Sequence, residues 1–142
     1  MGAFLYGLDV AFDPQRHYPL GTERPDLVRT PGGLRLDQLS LHAEDVTSSE
    51  LRATPETLRL QAEVAEAAGR VELGANLRRA AELAPLPDAT ILAVYTALRP
   101  RRSTAEELEG WARQLAEWNA PLTAAFVRDA LAVYVERGLL AA

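Results

Sequence analysis

The side chains able to do chemistry are few in this sequence, and they are scattered. There are two histidines, His17 and His42, and neither has a second histidine or a carboxylate at a spacing used for metal ligation. Ser48 and Ser49 stand near carboxylates. A nucleophilic serine needs an elbow such as G-x-S-x-G to present its oxygen, and none is present. Gly32-Gly33 lacks the surrounding pattern that cradles phosphate. Glu106, Glu107 and Glu109 fall where a helix needs solvated charge, and no pair is set apart as acid and base. Arg78-Arg79 could hold an anion, but such a pair more often forms a solvated face or an ion-pair partner. The expectation is therefore that this chain supplies no catalytic, cofactor-binding or metal-ligating residue.

Composition narrows the classes further. The 142 residues are 48% hydrophobic and 25% charged, the balance of a globular protein, and one domain over 1–142 is expected at this length. Cysteine is absent, which excludes disulfides, thiolate nucleophiles and cysteine-based metal sites. Lysine is also absent, which removes Schiff-base and P-loop lysines. The net charge of −5 argues against nucleic acid as a partner, because phosphate binding needs a concentrated positive field. No apolar run is long enough for a membrane span, and no signal-peptide pattern opens the sequence, so a cytoplasmic location is expected.

The elements that would carry these side chains are mostly helices. Residues 1–17 hold Phe4, Leu5, Tyr6, Leu8, Val10 and Phe12, which read as a docking arm with a brief strand over Leu8–Phe12. Tyr18 to Gly33 is broken by Pro19, Pro25, Pro31 and three glycines, so it reads as extended or turn-like chain needing a host surface. Over 34–51 two short helices are expected, one with Leu36, Leu39 and Leu41 on a patch, one opened by the capping box Thr47-Ser48-Ser49-Glu50. Five main helices follow. The first starts at N-cap Thr54 with Pro55 behind it and stops at Gly69. Its polar arc is narrow, which favours burial against another chain as well as its own core. The second runs from about Val71 to Ala84 with Leu73, Leu77, Ala80 and Ala84 inward and Arg78, Arg79 and Glu82 outside. The third, from Asp88, turns Ile91, Leu92, Tyr95 and Leu98 inward and closes at Arg99-Pro100-Arg101-Arg102. The fourth opens at a capping box read as Ser103-Thr104-Ala105-Glu106 and carries Leu108, Trp111, Ala112, Leu115 and Trp118. The fifth carries Leu122, Phe126, Ala130, Val133 and Tyr134, widened by Val127 and Leu131, and ends at Gly138. The fold class is mainly α: an extended, proline-rich segment over 1–33 ahead of a helical region over 34–142.

Several blocks in one order carry a further signal. They are Tyr18-Pro19-Leu20, R-P-D-L-V-R-T from Arg24, T-P-E-T-L-R-L-Q-A from Thr54, A-G-R from Ala68, R-A-A-E-L from Arg79, A-L-R-P-x-R-S-T from Ala97, and A-A-F-V-R from Ala124 on to Y-V-E-R at Arg137. Together they resemble the small (gamma) subunit of coenzyme B12-dependent diol and glycerol dehydratases. The resemblance implies a complex with two copies each of a large, a medium and a small subunit, which converts 1,2-propanediol, glycerol or related vicinal diols to aldehydes with loss of water. It implies an adenosylcobalamin cofactor bound between the large and medium subunits, a substrate inside the large subunit, and a small subunit that packs on the large one without catalytic residues. It also implies a cytoplasmic setting or a bacterial microcompartment.

Three departures stand out. Arg101 occupies a place where the family often has an aromatic, Trp111 and Trp118 are not typical of it, and Met1 to Gln15 match no part of it. The contacts expected to reach the large subunit are Tyr18, Pro19, Leu20, Arg99, Pro100 and Arg102, because proline-fixed segments and arginine forks suit a pre-organised interface. For Arg99 and Arg102, charge complementing a helix C-terminus is the competing explanation. The rival class is a stand-alone helical adaptor that binds a partner and has no enzyme role.

Overall fold

Helix-starting and helix-stopping chemistry sets the architecture. The computed structural model describes residues 11–41, 44 and 46–142. Among these are seven α-helices: α1 Leu20–Glu23, α2 Leu36–Leu41, α3 Pro55–Ala67, α4 Val71–Leu83, α5 Asp88–Ala97, α6 Ala105–Glu117 and α7 Pro121–Arg137. Sheet pairing among the described residues is confined to one isolated bridge between Arg29 and Arg35. The strand expected over Leu8–Phe12 falls mainly on residues outside the described set, as does His42.

The long helices form two hairpins, α3–α4 and α6–α7, with α5 linking them and packing on α6. Both hairpin turns use one device. After α3, Gly69 adopts φ 77°, its N–H bonds Glu66 O at 2.9 Å, and the Arg70 N–H bonds Ala65 O at 2.8 Å. After α6, Asn119 takes φ 61°, its N–H bonds Ala116 O at 3.1 Å, and the Ala120 N–H bonds Leu115 O at 2.9 Å. These are Schellman closures, which satisfy orphan carbonyls and reverse the chain at once. Glycine suits the first because it has no Cβ to strain; asparagine is the side chain that best tolerates the second.

Helix starts follow the sequence with one shift. Thr54 caps α3 through Oγ1, which accepts the Thr57 N–H, and Pro55 is the first helical residue. The capping box of α6 lies one residue later than expected: Thr104 Oγ1 accepts the Glu107 N–H, and Glu107 Oε2 accepts the Thr104 N–H. Ser103 is unavailable for that role because its hydroxyl donates to Ala97 O at 2.9 Å. The box expected at Thr47 does not open a helix. Residues 48–51 are a turn, and Glu50 Oε2 accepts the Gly32 N–H at 3.2 Å.

The proline-rich segment also differs from expectation. It contains the helical turn α1 and a 3-10 turn at Pro25–Leu27. Prolines at the edge of a helix do not break it, since their fixed φ is already helical and the missing N–H would be unpaired there. Leu20 is buried, so part of the segment finds its host in its own chain.

The main core lies where α5, α6 and α7 meet the end of α4. Leu83, Val94, Leu108, Ala112, Leu115, Ala120, Ala124 and Val127 form it. Leu108 and Leu115 are fully enclosed, and each contributes roughly 1.5–3 kcal/mol by leaving water. The α3–α4 hairpin instead buries small residues, Ala62, Ala65, Gly74 and Ala81, which lets the two backbones approach closely. Along α3, Leu58, Leu60 and Val64 are only half-buried, so this chain alone does not cover the helix on most sides.

On two helices the expected inward stripe holds only in part. On α5 the buried residue is Val94, with Ile91 and Leu98 packed beside it, while Leu92 and Tyr95 face outward. On α7 the inward side is Thr123, Ala124 and Val127 with Leu131 and Tyr134, whereas Leu122, Phe126 and Val133 are exposed. Both helices are apolar nearly all round, so periodicity could not choose which stripe wins.

Candidate partner interface

The turn between α5 and α6 gathers Arg99, Pro100, Arg101 and Arg102. All four residues are exposed. The turn itself is held from several sides. Arg101 has φ 62° and donates its N–H to Leu139 O at 2.7 Å. The Ala141 N–H bonds Ser103 O at 2.9 Å, the Ser103 hydroxyl bonds Ala97 O, and the Tyr134 hydroxyl donates to Leu98 O. The backbone that carries the arginines is therefore fixed by the last turn of α7 and the segment following it.

Among the described residues, none of these three guanidiniums makes a salt bridge. Seven other arginines do: Arg16, Arg24, Arg35, Arg52, Arg59, Arg78 and Arg128. Arg78 forks onto Glu66 with two bonds of 2.7 Å, and this hydrogen bonding holds the Glu66 carboxyl below the usual glutamate value. Arg52 does the same to Asp88, and Arg128 to Glu109. The arginines paired in this way serve the fold.

Beside the arginine turn, Leu92 is 66% exposed and Tyr95 is 54% exposed. Spacing of three residues puts Leu92 and Tyr95 on one face of α5, and Arg99 follows just past the helix end. A groove of about 560 Å³ runs along the neighbouring side, with Leu92, Arg102 and Trp111 in its lining. Sequence reasoning counted Leu92 and Tyr95 as core. The signal that could have found them is the apolar character of α5 on all sides, more than one small core can cover.

Tyr18 and Leu20 lie elsewhere, on either side of Pro19, in the lining of a second groove of about 800 Å³ between the N-terminal segment and the α3–α4 hairpin. The Tyr18–Pro19 peptide bond is cis. Tyr18 is 70% exposed, Pro19 is exposed, and Leu20 is 8% exposed. Leu20 packs mostly into its own fold and still lines the groove beside Tyr18. The two grooves share no lining residue. The structure brings Arg99, Pro100 and Arg102 together on one turn and does not join them to Tyr18.

Glu82 is a residue that sequence reasoning misplaced. Projecting from α4, its Oε1 accepts the Leu122 N–H at 2.9 Å, and its Oε2 accepts the Thr123 N–H and hydroxyl, both at 2.8 Å. Ala120, at the cap of α7, has no side chain for this purpose. The carboxylate therefore closes the N-terminus of α7 from another helix and ties the two hairpins together. Of the two histidines, His17 is engaged locally: its Nδ1 accepts the Asp13 N–H at 2.9 Å. Among the described residues no group of three or more histidines, cysteines or carboxylates is placed to hold a metal. No helix there is long and apolar enough to cross a membrane.

A family model described as dehydratase small subunit matches residues 14–141. The chain belongs to the dehydratase small-subunit family. The match begins before Tyr18 and runs through Ala141, the last of the residues that hold the arginine turn, so both grooves lie inside the family region. Within the family, this small-subunit chain is 49% identical to the propanediol dehydratase small subunit of Citrobacter freundii over 124 residues, covering 84% of this chain and 72% of that protein. It is 48% identical to the propanediol dehydratase small subunit of Salmonella typhimurium over 124 residues, with the same coverage of both chains.

Proposed function

We propose that this chain is the non-catalytic small subunit of an adenosylcobalamin-dependent propanediol or glycerol dehydratase, which turns vicinal diols into aldehydes with loss of water. The observation that carries the reading is the similarity to two propanediol dehydratase small subunits along most of the chain. The rigid arginine turn beside exposed Leu92 and Tyr95 supports it, because a chain of this size gains little by displaying such residues unless another surface covers them. The proposed partners are a large and a medium subunit, two copies of each of the three chains, in the cytoplasm or a microcompartment. Tyr18, Pro19, Leu20, Arg99, Pro100 and Arg102 are the proposed contacts to the large subunit.

Adenosylcobalamin, when bound, supplies the radical chemistry that such a reaction needs. Among the described residues nothing marks a corrin site. The larger groove is lined by Val64, Ala65, Ala68, Leu73 and Leu77 together with Gln15, Gln61 and Arg70, and His17, the described histidine, already has Nδ1 engaged. The cofactor is therefore proposed for the other subunits, and no step is assigned to a side chain here.

The test is co-expression with large- and medium-subunit chains, size exclusion, and an aldehyde assay with added adenosylcobalamin. Co-elution of all three, with activity lost when this chain is omitted, is the expected result. A well-folded lone monomer beside a fully active two-subunit enzyme would refute the reading in favour of the adaptor.

A further inference from the structure

The arginine turn has the features of a docking site for a specific chemistry. Over residues 99–107 three arginines stand against two glutamates, and Glu107 is already bound to the Thr104 N–H. This local excess of positive charge occurs in a chain whose net charge is −5. Guanidinium groups left without an internal carboxylate are ready to fork onto an external one, and carboxylate is the anion whose planar geometry they match. The anchoring turn is fixed by the bonds from Leu139, Ala141 and Tyr134, so little of its backbone freedom remains to be lost on association. Leu92 and Tyr95 add an apolar centre next to this charged rim, the usual layout of a specific interface.

We infer that the α5–α6 corner receives a segment of the large subunit that carries carboxylates beside an apolar side chain. The carboxylates meet Arg99 and Arg102, and the apolar group covers Leu92 and Tyr95 at the edge of the groove lined by Trp111. The inference rests on the proposed subunit role and adds the chemistry of the partner surface.

The experiment uses the assembled complex. The photo-crosslinker p-benzoylphenylalanine replaces Tyr95, and the chain is co-expressed with the medium subunit and a tagged large subunit, then irradiated. The expected adduct is to a large-subunit peptide containing aspartate or glutamate. An adduct to a peptide without carboxylates, or to the medium subunit, overturns the inference while the subunit role stands. So does the absence of any adduct when the chain co-purifies normally. In parallel, Arg99→Glu with Arg102→Glu, both at exposed positions, should lower retention of the small subunit on the tagged complex about tenfold or more. Wild-type retention should weaken as salt is raised. Retention that ignores both the reversed charges and the salt overturns the inference. Failure of the wild-type chain to co-purify overturns the subunit role, and this inference with it.

Discussion

Replacing Glu82 by alanine tests the claim that one carboxylate joins the two helical hairpins. The substitution removes three accepted hydrogen bonds, two of them from the unpaired N–H groups of the first turn of α7. Leu122 is 48% exposed, so its N–H can turn to water. Thr123 is 4% exposed, so its N–H and hydroxyl would be left without that option. Loss of a helix cap costs about 1 kcal/mol, and a buried donor left unpaired adds about 1–2 kcal/mol. The sum is about 2–3 kcal/mol, or roughly 7–10 °C in melting temperature for a chain of this size. Glu82→Gln keeps an oxygen in place but loses the charge, and should cost about half as much. The assay is urea and thermal unfolding followed by circular dichroism. A double-mutant cycle with Thr123→Ala should return a coupling of about 1 kcal/mol. A Glu82→Ala cost below about 0.5 kcal/mol, the scatter of ordinary surface changes, would refute the pin.

Further expectations follow from the same geometry. Leu115→Ala should destabilise by about 2–5 kcal/mol in urea unfolding, because its side chain is fully enclosed. A Cβ on Gly74 would lie 2.5 Å from Glu66 Cγ, so Gly74→Ala should be destabilising in the wild-type chain. In a Glu66→Ala background the same change should instead stabilise by about 0.5–1 kcal/mol, through helix propensity alone. Thr104→Ala should cost about 1 kcal/mol in thermal unfolding by removing the cap of α6. The Glu66 carboxyl is held low by Arg78, so that pair stabilises above the unfolded-state value and its contribution is lost as pH falls through the lowered folded value. The penalty of Arg78→Met in urea should therefore be larger at pH 7 than near pH 3; an equal penalty at both would rule out the ion pair as its cause.

Local signals in the sequence were legible where the chemistry is local. Thr54, Pro55 and Gly69 bracket α3 as read, because an N-cap, a leading proline and a left-handed glycine act on their own few residues. The cap of α6 shifted by one because Ser103 and Thr104 can both fill the role, and only the fold shows that Ser103 is drawn to Ala97. Which stripe of α5 and α7 is covered depended on the neighbouring helix, and an all-round apolar sequence does not encode that choice by periodicity. Glu82 was invisible as a cap for a related reason: its partners, Leu122 and Thr123, lie about forty residues away in sequence. At the arginine turn, the sequence located the charges. Their lack of salt bridges among the described residues and the exposure of Leu92 and Tyr95 needed the structure.

The bonds that fix the arginine turn also impose an order in time. The turn follows α5, but the groups that hold it belong to Tyr134, Leu139 and Ala141. Arg99 to Arg102 are joined to the growing chain before α6 and α7 are made. A chain ending before Tyr134 would hold the arginines on an unbraced loop, without the hydroxyl of Tyr134 or the carbonyl of Leu139. The braced surface forms only once residues through 141 are free to fold back on the turn.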